Sequence, residues 1–382
     1  MDHITFLVGA VIVTALAFDF TNGFHDTANA MATSIATKAL RPKVAVLISG
    51  VLNLAGAFLS TEVARTISGG IVNDSLVTPG MIFAGLIGAI MWNLATWLLG
   101  LPSSSSHALF GGLIGAVWVG AGRRGVHFDE VVDKIILPAV ASPLVAGLAA
   151  LLATYIAYRV TARGREASVD RGFRLGQIAS ASLVSLAHGT NDAQKTMGVI
   201  TLTLISVGAL GAGSGPPLWV IGSAGLSISL GTYLGGWRII RTMGKGLADI
   251  RAPQGFVAES SATTVILTSA HLGFALSTTQ VCAGSILGAG LGRKLAEVRW
   301  GIAGRMVISW CVTLPAAAAV GALAAVVVVH GGTAGIIVVA LAAAAVATFI
   351  VIMSRRNPVT SGNVNDENTV SVRSRTAKAN VV

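Results

Sequence analysis

A carboxylate flanked by amide side chains lies close to an apolar N-terminal run. It belongs to the stretch Asn22–Met31, sequence NGFHDTANAM, which follows shortly after the apolar residues Ile4–Phe18. In a helix, Asn22, Asp26 and Asn29 fall at i, i+4 and i+7 and therefore share one face. A carboxylate at membrane depth is costly, so its presence there predicts a functional site.

The same pattern returns in the second half of the chain, as residues 188–197 with the sequence HGTNDAQKTM. The identical positions are Gly23 and Gly189, Asp26 and Asp192, and Met31 and Met197. The differing positions include His25 opposite Asn191 and Asn29 opposite Lys195. Recurrence argues against the alternative that one polar face only holds two helices together. Asp26 and Asp192, if they converge, would suit Na⁺ or a proton better than a transition metal, and they are the candidates for any metal ligation.

Two hydroxyl clusters form a second matching pair, SSSSH at residues 103–107 and LSTTQ at residues 276–280. Each opens a short, glycine-rich apolar segment, which predicts a helix N-terminus. The free N–H groups and the positive end of the helix dipole there bind tetrahedral anions. We therefore predict anion contacts from the hydroxyl clusters and from the Lys195 ammonium. Two alternatives stay open: the hydroxyls could bond back to their own helices, and Lys195 could pair with Asp192.

The composition defines the class of protein in which these motifs lie. Charged residues make up 11% of the chain and hydrophobic residues 53%, and the mean hydropathy is +0.77. Such a chain cannot cover a soluble surface, so we predict an all-α polytopic membrane protein with about 10–12 membrane segments. Several apolar runs are too short to span, which indicates broken helices or re-entrant hairpins beside the polar motifs. The net charge of +10 does not indicate nucleic-acid binding, because the basic residues lie between apolar runs.

The order of the matching motifs divides the chain into two repeats. The predicted units are a first repeat 1–158, a basic linker 159–174, a second repeat 175–353 and a disordered polar tail 354–382. The segments around Arg41 and Lys43, 159–174, 238–251, 293–299 and Arg355 with Arg356 hold 16 Lys and Arg, against four in the intervening loops. Placing the basic segments in the cytoplasm orients the repeats oppositely, as in many secondary transporters, and puts the C-terminus inside the cell. Arg123 and Arg124 lie on the wrong side in this scheme.

The segments GFHDTANA, from Gly23, and GTND, from Gly189, resemble the paired signature of the inorganic phosphate transporter (PiT) family. The resemblance covers Ile4 to Met353 and implies symport of inorganic phosphate with a cation, through two inverted repeats and alternating access. In that family the signature Asp and Asn residues and the Ser/Thr hairpins line the phosphate and cation sites. The phosphate residues that we predict are Asn29, Ser104, Ser105, Lys195, Ser277, Thr278 and Thr279. The predicted cation or proton residues are His25, Asp26, Asn191 and Asp192.

The choice of coupling ion depends on two departures from the family pattern. His25 replaces the usual Asn before the first Asp and resembles the bacterial, proton-coupled, low-affinity branch. Histidine titrates near neutral pH, whereas the Lys195 ammonium would oppose Na⁺. We therefore predict proton symport, with Na⁺ symport as the alternative. That branch is also associated with neutral metal–phosphate complexes, so a divalent metal ion is a further candidate partner.

Other functions remain as competing hypotheses. Sulfate or arsenate could replace phosphate, because N–H groups and hydroxyls distinguish tetrahedral oxyanions poorly. Paired signatures argue against a channel lined by rings of identical groups. No nucleophile–base–orienter set is apparent, which argues against an intramembrane enzyme. We expect a multi-pass protein of the cell membrane with no cofactor, whose partners are phosphate, the coupling cation and the lipid bilayer; a homodimer is left open.

Overall fold

The computed structural model describes residues 2–293 and 298–366, and these residues are predominantly α-helical. The α-helices are α1 Asp2–Ala36, α2 Pro42–Gly56, α3 Glu62–Gly69, α4 Pro79–Leu99, α5 Ser105–Ala121, α6 Phe128–Val131, α7 Leu137–Thr161, α8 Glu166–Ser206, α9 Leu218–Leu234, α10 Trp237–Arg241, α11 Ala252–His271, α12 Thr278–Leu291 and α13 Trp300–Arg355. A residue with non-helical backbone angles, Gly332, interrupts α13. Pairing of β type within the described ranges is limited to isolated bridges such as Val72 with Val126. The predicted all-α class is confirmed.

Length and hydropathy identify membrane-spanning helices among the described residues. Four pass both criteria, namely Thr5–Ala36, Pro79–Leu99, Phe128–Thr161 and Trp300–Arg355, and a fifth is the bent pair Leu218–Leu234 with Trp237–Gly246. Large apolar side chains on α7 and α13 point outward, including Leu144 at 61% and Leu323 at 70% exposure. A surface of that kind is stable against lipid. The chain is therefore a polytopic membrane protein, and the count of 10–12 segments stays a prediction.

Each signature lies inside one long helix, Asn22–Met31 within α1 and residues 188–197 within α8. Neither helix breaks there, which differs from the interruption expected beside a polar motif. The reason is that both polar faces are buried against protein, so an intact helix keeps its backbone bonds satisfied. The hydroxyl clusters do begin short helices, α5 and α12. Ser104 and Ser277 are their N-caps, accepting from the N–H of His107 at 3.1 Å and of Gln280 at 3.3 Å.

Glycines set the close contact of each signature helix with a helix from the other half. A Cβ on Gly23 of α1 would collide with the Ile228 carbonyl of α9, and one on Gly189 of α8 would collide with the Asn53 carbonyl of α2. Only glycine allows backbones to approach so closely. The contact of α1 with α9 is thus reproduced by α8 with α2, and the two halves interlock.

Helices α5 and α12, which begin at the two hydroxyl clusters, share a second set of equivalent contacts. Gly111 of α5 packs on Leu314 of α13, and Gly284 of α12 packs on Pro143 of α7. One turn further on, the same helix pairs meet through Gly115 with Ala318 and Gly288 with Gly147. The packing in one half therefore has a counterpart in the other, with α7 and α13 exchanging roles. This duplication is what two structural repeats require, and their opposite orientation in a membrane stays a prediction.

The linker and the tail are more ordered than their polarity suggests. Helix α8 begins at Glu166, so residues 166–174 of the predicted linker are helical. Beyond α13, Val364 is buried, Arg241 donates to the Asn363 carbonyl at 2.6 Å, and Asn365 donates to the Ile35 carbonyl at 3.3 Å. Residues up to Asp366 thus pack against the ends of α1 and α10. The remainder of the predicted disordered tail, 367–382, lies outside the described residues.

Candidate ion and anion site

The two signature carboxylates meet in the interior, although they are far apart in the chain. Asp26 on α1 and Asp192 on α8 are both buried. One ligand atom from each, together with one from His188, lie within 4.8 Å of one another. Two carboxylates and an imidazole at this spacing can hold a cation between them.

The Asp26 carboxylate is held by neutral hydroxyl donors and one imidazole. Ser105 donates to Oδ2 at 2.7 Å, and Thr279 donates to Oδ1 at 3.3 Å. His25 Nδ1 lies 2.6 Å from Oδ1. Ser105 is the first residue of α5 and Thr279 lies in the first turn of α12. Both of these helices therefore contribute a hydroxyl donor to the Asp26 carboxylate.

His25 connects Asp26 to a hydroxyl pair on its other side. Its Nε2 lies 3.3 Å from the Thr96 hydroxyl and 3.3 Å from that of Ser103, and these two oxygens are 2.8 Å apart. The imidazole is fully buried, yet both ring nitrogens have polar partners. His25 thus links Asp26 to α4 and to the residues just before α5.

The Asp192 carboxylate is held by a permanent charge. Lys195 donates from Nζ to Oδ1 at 2.6 Å, and Thr278 donates to Oδ2 at 3.2 Å. His188 Nε2 lies 3.2 Å from Oδ2, and Asn22 reaches the same oxygen at 3.5 Å. The Lys195 ammonium is fully buried, so it requires this carboxylate for compensation. Of the two roles that the sequence leaves open for Lys195, the structure contains the ion pair with Asp192.

The remaining candidate residues lie where the two hydroxyl clusters touch. Asn29 donates to the hydroxyls of Thr278 and Thr279 at 3.3 and 3.1 Å. Asn191 donates to the Leu276 carbonyl at 3.4 Å, which also accepts from Ser106 at 3.1 Å. These bonds bring the N-termini of α5 and α12 to the carboxylates. The hydroxyls of Ser104 and Ser277 are occupied as the N-caps of α5 and α12.

Sequence reasoning missed several polar side chains at this site. Thr96 and Ser103 carry no spacing signal that links them to His25. His188 lies four residues before Asp192, one helical turn away, and that periodicity could have identified it. Asp19 precedes Asn22 and Asp26 by three and seven positions on the same face of α1, and it is fully buried. Neither of its carboxylate oxygens makes a hydrogen bond within the described residues.

A further buried carboxyl group, Glu259 on α11, lies beside the site. Thr33 and Ser180 donate to it at 2.5 Å each, and Gln177 donates at 3.2 Å. A cavity of about 10 Å³ lies between Glu259 and Asn29. Glu259 is fully hydrogen-bonded, in contrast to Asp19.

Comparison with known proteins gives a consistent result. The model of the family described as "Phosphate transporter family" matches residues 22–169 and 159–321. A probable low-affinity inorganic phosphate transporter of Mycobacterium tuberculosis (strain CDC 1551 / Oshkosh) is 63% identical over 318 residues, 83% of this chain and 76% of that protein. Proteins of the same description from Rhizobium meliloti (strain 1021) and Bacillus subtilis (strain 168) are 45% and 41% identical, over 83% and 85% of this chain and 95% and 97% of theirs. A solved structure titled "The sodium-dependent phosphate transporter" shares the fold, with a TM-score of 0.75 at 24% identity over 84% of this chain and 98% of that one.

Proposed function

This chain belongs to the phosphate transporter family, and from that premise we propose that it imports inorganic phosphate across the cell membrane in symport with protons. One observation carries the proposal: two duplicated motifs bring two carboxylates and two helix N-termini to one buried place. Asp26 and Asp192 can hold positive charge, and the first turns of α5 and α12 can hold an anion beside it. A symporter needs its cation site and its anion site to be adjacent, so that binding of one ion affects binding of the other.

The phosphate oxygens bind at the two helix N-termini. Ser105, Thr278 and Thr279 now donate to the carboxylates, and each hydroxyl can rotate to donate to phosphate instead. Asn29 and the free N–H groups of the first helical turns complete the donor set. Lys195 contributes its charge through the field of the site, since its ammonium is already paired with Asp192.

Coupling follows from the shared hydroxyl donors. When phosphate takes Ser105 and Thr279, the Asp26 carboxylate loses two hydrogen bonds while it is still buried. A buried charge without donors is costly, and a proton bound at the His25–Asp26 pair removes that cost. Phosphate binding therefore favours proton binding, and the reverse holds by linkage.

The proton is preferred to Na⁺ because of how the charges are divided. His25 and Asp26 accept a proton without any new ligand, whereas a Na⁺ ion near Asp192 would meet the buried Lys195 ammonium. The oxygen and nitrogen ligands of Asp26, His188 and Asp192 keep Na⁺ symport, and transport of a neutral divalent metal–phosphate complex, as second candidates.

Transport then requires that the buried site open to each side in turn. We assign this step to rocking of two inverted repeats, with the C-terminus in the cytoplasm. The duplicated packing supports a division into two repeats, because the glycine contacts of one half have counterparts in the other.

The test is uptake of labelled phosphate into proteoliposomes, with ΔpH, Na⁺ and Mg²⁺ gradients varied independently at clamped membrane potential. We expect an acidic exterior to drive accumulation and a Na⁺ gradient alone to have no effect. Accumulation that follows Na⁺ and ignores ΔpH would replace the proton by Na⁺ as coupling ion. Sulfate and arsenate are added as competitors, and failure of phosphate to be the preferred anion would overturn the substrate assignment.

A further inference from the structure

Asp19 is a buried carboxyl group that the site around Asp26 and Asp192 leaves unused. It is fully buried on α1, and neither oxygen makes a hydrogen bond within the described residues. Asn22 and Thr196 are the neighbouring side chains that can donate to it. Asn22 Oδ1 and Thr196 Oγ1 themselves have no hydrogen-bond partner within the described residues. Buried polar groups are nearly always paired, so a cluster of unpaired oxygens calls for a bound proton or cation.

Two charged groups among the described residues act electrostatically on Asp19. The charged groups that face it are Lys195 and Asp192, both on α8. Lys195 is committed to Asp192 at 2.6 Å, and Asp26 is satisfied by His25 and two hydroxyls. An ionised Asp19 would therefore be an unpaired charge at membrane depth, which is the most expensive state for a carboxylate.

We propose that Asp19 is a proton-binding site of the transport cycle, protonated in this conformation and deprotonated when Lys195 turns towards it. This inference rests on the proton symport proposed above and adds a second proton carrier to His25–Asp26. The proton arrives from one side of the membrane, binds a carboxylate oxygen of Asp19, and leaves to the other side. The Lys195 ammonium keeps its own protons throughout and only changes its carboxylate partner.

The shared lysine makes this site responsive to the transported ions. Lys195 can neutralise either Asp192 or Asp19. While its Nζ lies 2.6 Å from Asp192, it is not also in close contact with Asp19. When a cation compensates Asp192, Lys195 is free to stabilise an ionised Asp19, and the proton is released. Occupancy of the central site is thereby linked to proton release at Asp19.

The test separates net proton-coupled transport from simple exchange. Wild type, Asp19→Asn and Ser185→Ala are reconstituted in proteoliposomes. Ser185 is the matched control, because it occupies the position on α8 equivalent to Asp19 and is also fully buried. One assay measures accumulation driven by a ΔpH of one unit; the other measures exchange of labelled for unlabelled phosphate at equal pH, which needs no net proton release.

We expect Asp19→Asn to lose the accumulation of about tenfold that one coupled proton supports per pH unit. Its exchange activity should persist, and a luminal pH dye should record fewer protons entering per phosphate. Ser185→Ala should behave as wild type in both assays. Wild-type accumulation in Asp19→Asn, or loss of exchange in a protein that still elutes as a single species, overturns the role of Asp19. If the wild type itself ignores ΔpH, it is proton symport as a whole that fails.

A second variant decides the matter if Asp19→Asn does not reach the membrane. Asp19→Glu keeps a titratable carboxyl group but moves it by one methylene. We expect it to retain ΔpH-driven accumulation with a shifted dependence of uptake on external pH. A pH profile identical to that of the wild type would show that no proton of the cycle binds at this position.

Discussion

The two signature carboxylates occupy equivalent positions and are nevertheless compensated in different ways. Asp26 has an imidazole at 2.6 Å, and Asp192 has an ammonium at the same distance. The imidazole also contacts the Thr96 and Ser103 hydroxyls, whereas the ammonium is a permanent charge held 2.6 Å from one carboxylate. One carboxylate thus belongs to a hydrogen-bond network and the other to a close ion pair.

The backbones around these carboxylates do not share that asymmetry. Gly23 and Gly189 allow the same close approach to the opposite half, through equivalent carbonyls. A duplicated scaffold is thus retained, while two side-chain positions give the two carboxylates different partners. These positions are His25 opposite Asn191 and Asn29 opposite Lys195.

The largest effect is expected from neutralising either carboxylate. Asp26→Asn and Asp192→Asn should each abolish phosphate uptake in proteoliposomes with the protein still folded, because neither variant can hold the coupling charge. Asp192→Asn should also lose more thermal stability, since it leaves the Lys195 ammonium buried without its partner, a loss of about 3–5 kcal/mol in other buried pairs. The double variant Asp192→Asn/Lys195→Met should recover stability without transport. Near-normal uptake in both single variants would contradict the two-carboxylate site.

Two further variants make each signature more like the other. His25→Asn removes the imidazole partner of Asp26 and should weaken the response of uptake to ΔpH, leaving the part of the response that depends on Asp19. Lys195→Asn makes the second signature resemble the first and removes the charge that repels Na⁺, so Na⁺ should stimulate uptake in this variant. Uptake of labelled phosphate under each gradient measures both effects. If both variants keep the wild-type ion dependence, the different compensation of the two carboxylates has no part in ion choice.

A smaller effect should come from the scaffold, and it should be the same in both halves. Gly23→Ala and Gly189→Ala each place a methyl group against a backbone carbonyl, an overpacking that typically costs about 1–3 kcal/mol. Gly222→Ala is the matched control, because a Cβ at Gly222 meets no atom within 4 Å. Thermal unfolding in detergent measures all three. A marked loss in only one of the first two would show that the contacts are duplicated in geometry but not in energy.

The smallest effects are expected at the helix caps. Ser104→Ala and Ser277→Ala should each cost about 1 kcal/mol of stability, the usual value for an N-cap. Their effect on the KM for phosphate should be smaller than that of Ser105→Ala, which removes the donor 2.7 Å from Asp26. Uptake kinetics and thermal unfolding distinguish capping from direct binding. A KM change at Ser104 that matches the one at Ser105 would show that the Ser104 hydroxyl binds phosphate directly.

Composition and local sequence patterns are enough to establish the class of the protein and the identity of its key positions. An apolar composition with few charges requires a helical membrane protein, because lipid cannot satisfy a free backbone. The duplicated signature and the hydroxyl clusters are local patterns, and a helical period of 3.6 residues places Asn22, Asp26 and Asn29 on one face whatever the rest of the fold does.

The partner of each of these groups, by contrast, is set by contacts between distant helices. His25 contacts Thr96, Asp192 accepts from Thr278, and Asp19 makes no hydrogen bond within the described residues. These outcomes depend on helices that are distant in sequence and that pack through glycines in the opposite half. Periodicity along one helix fixes where a side chain points, but the charge that it needs is supplied from another helix. For that reason the sequence could name Lys195 without deciding whether it serves an anion or Asp192.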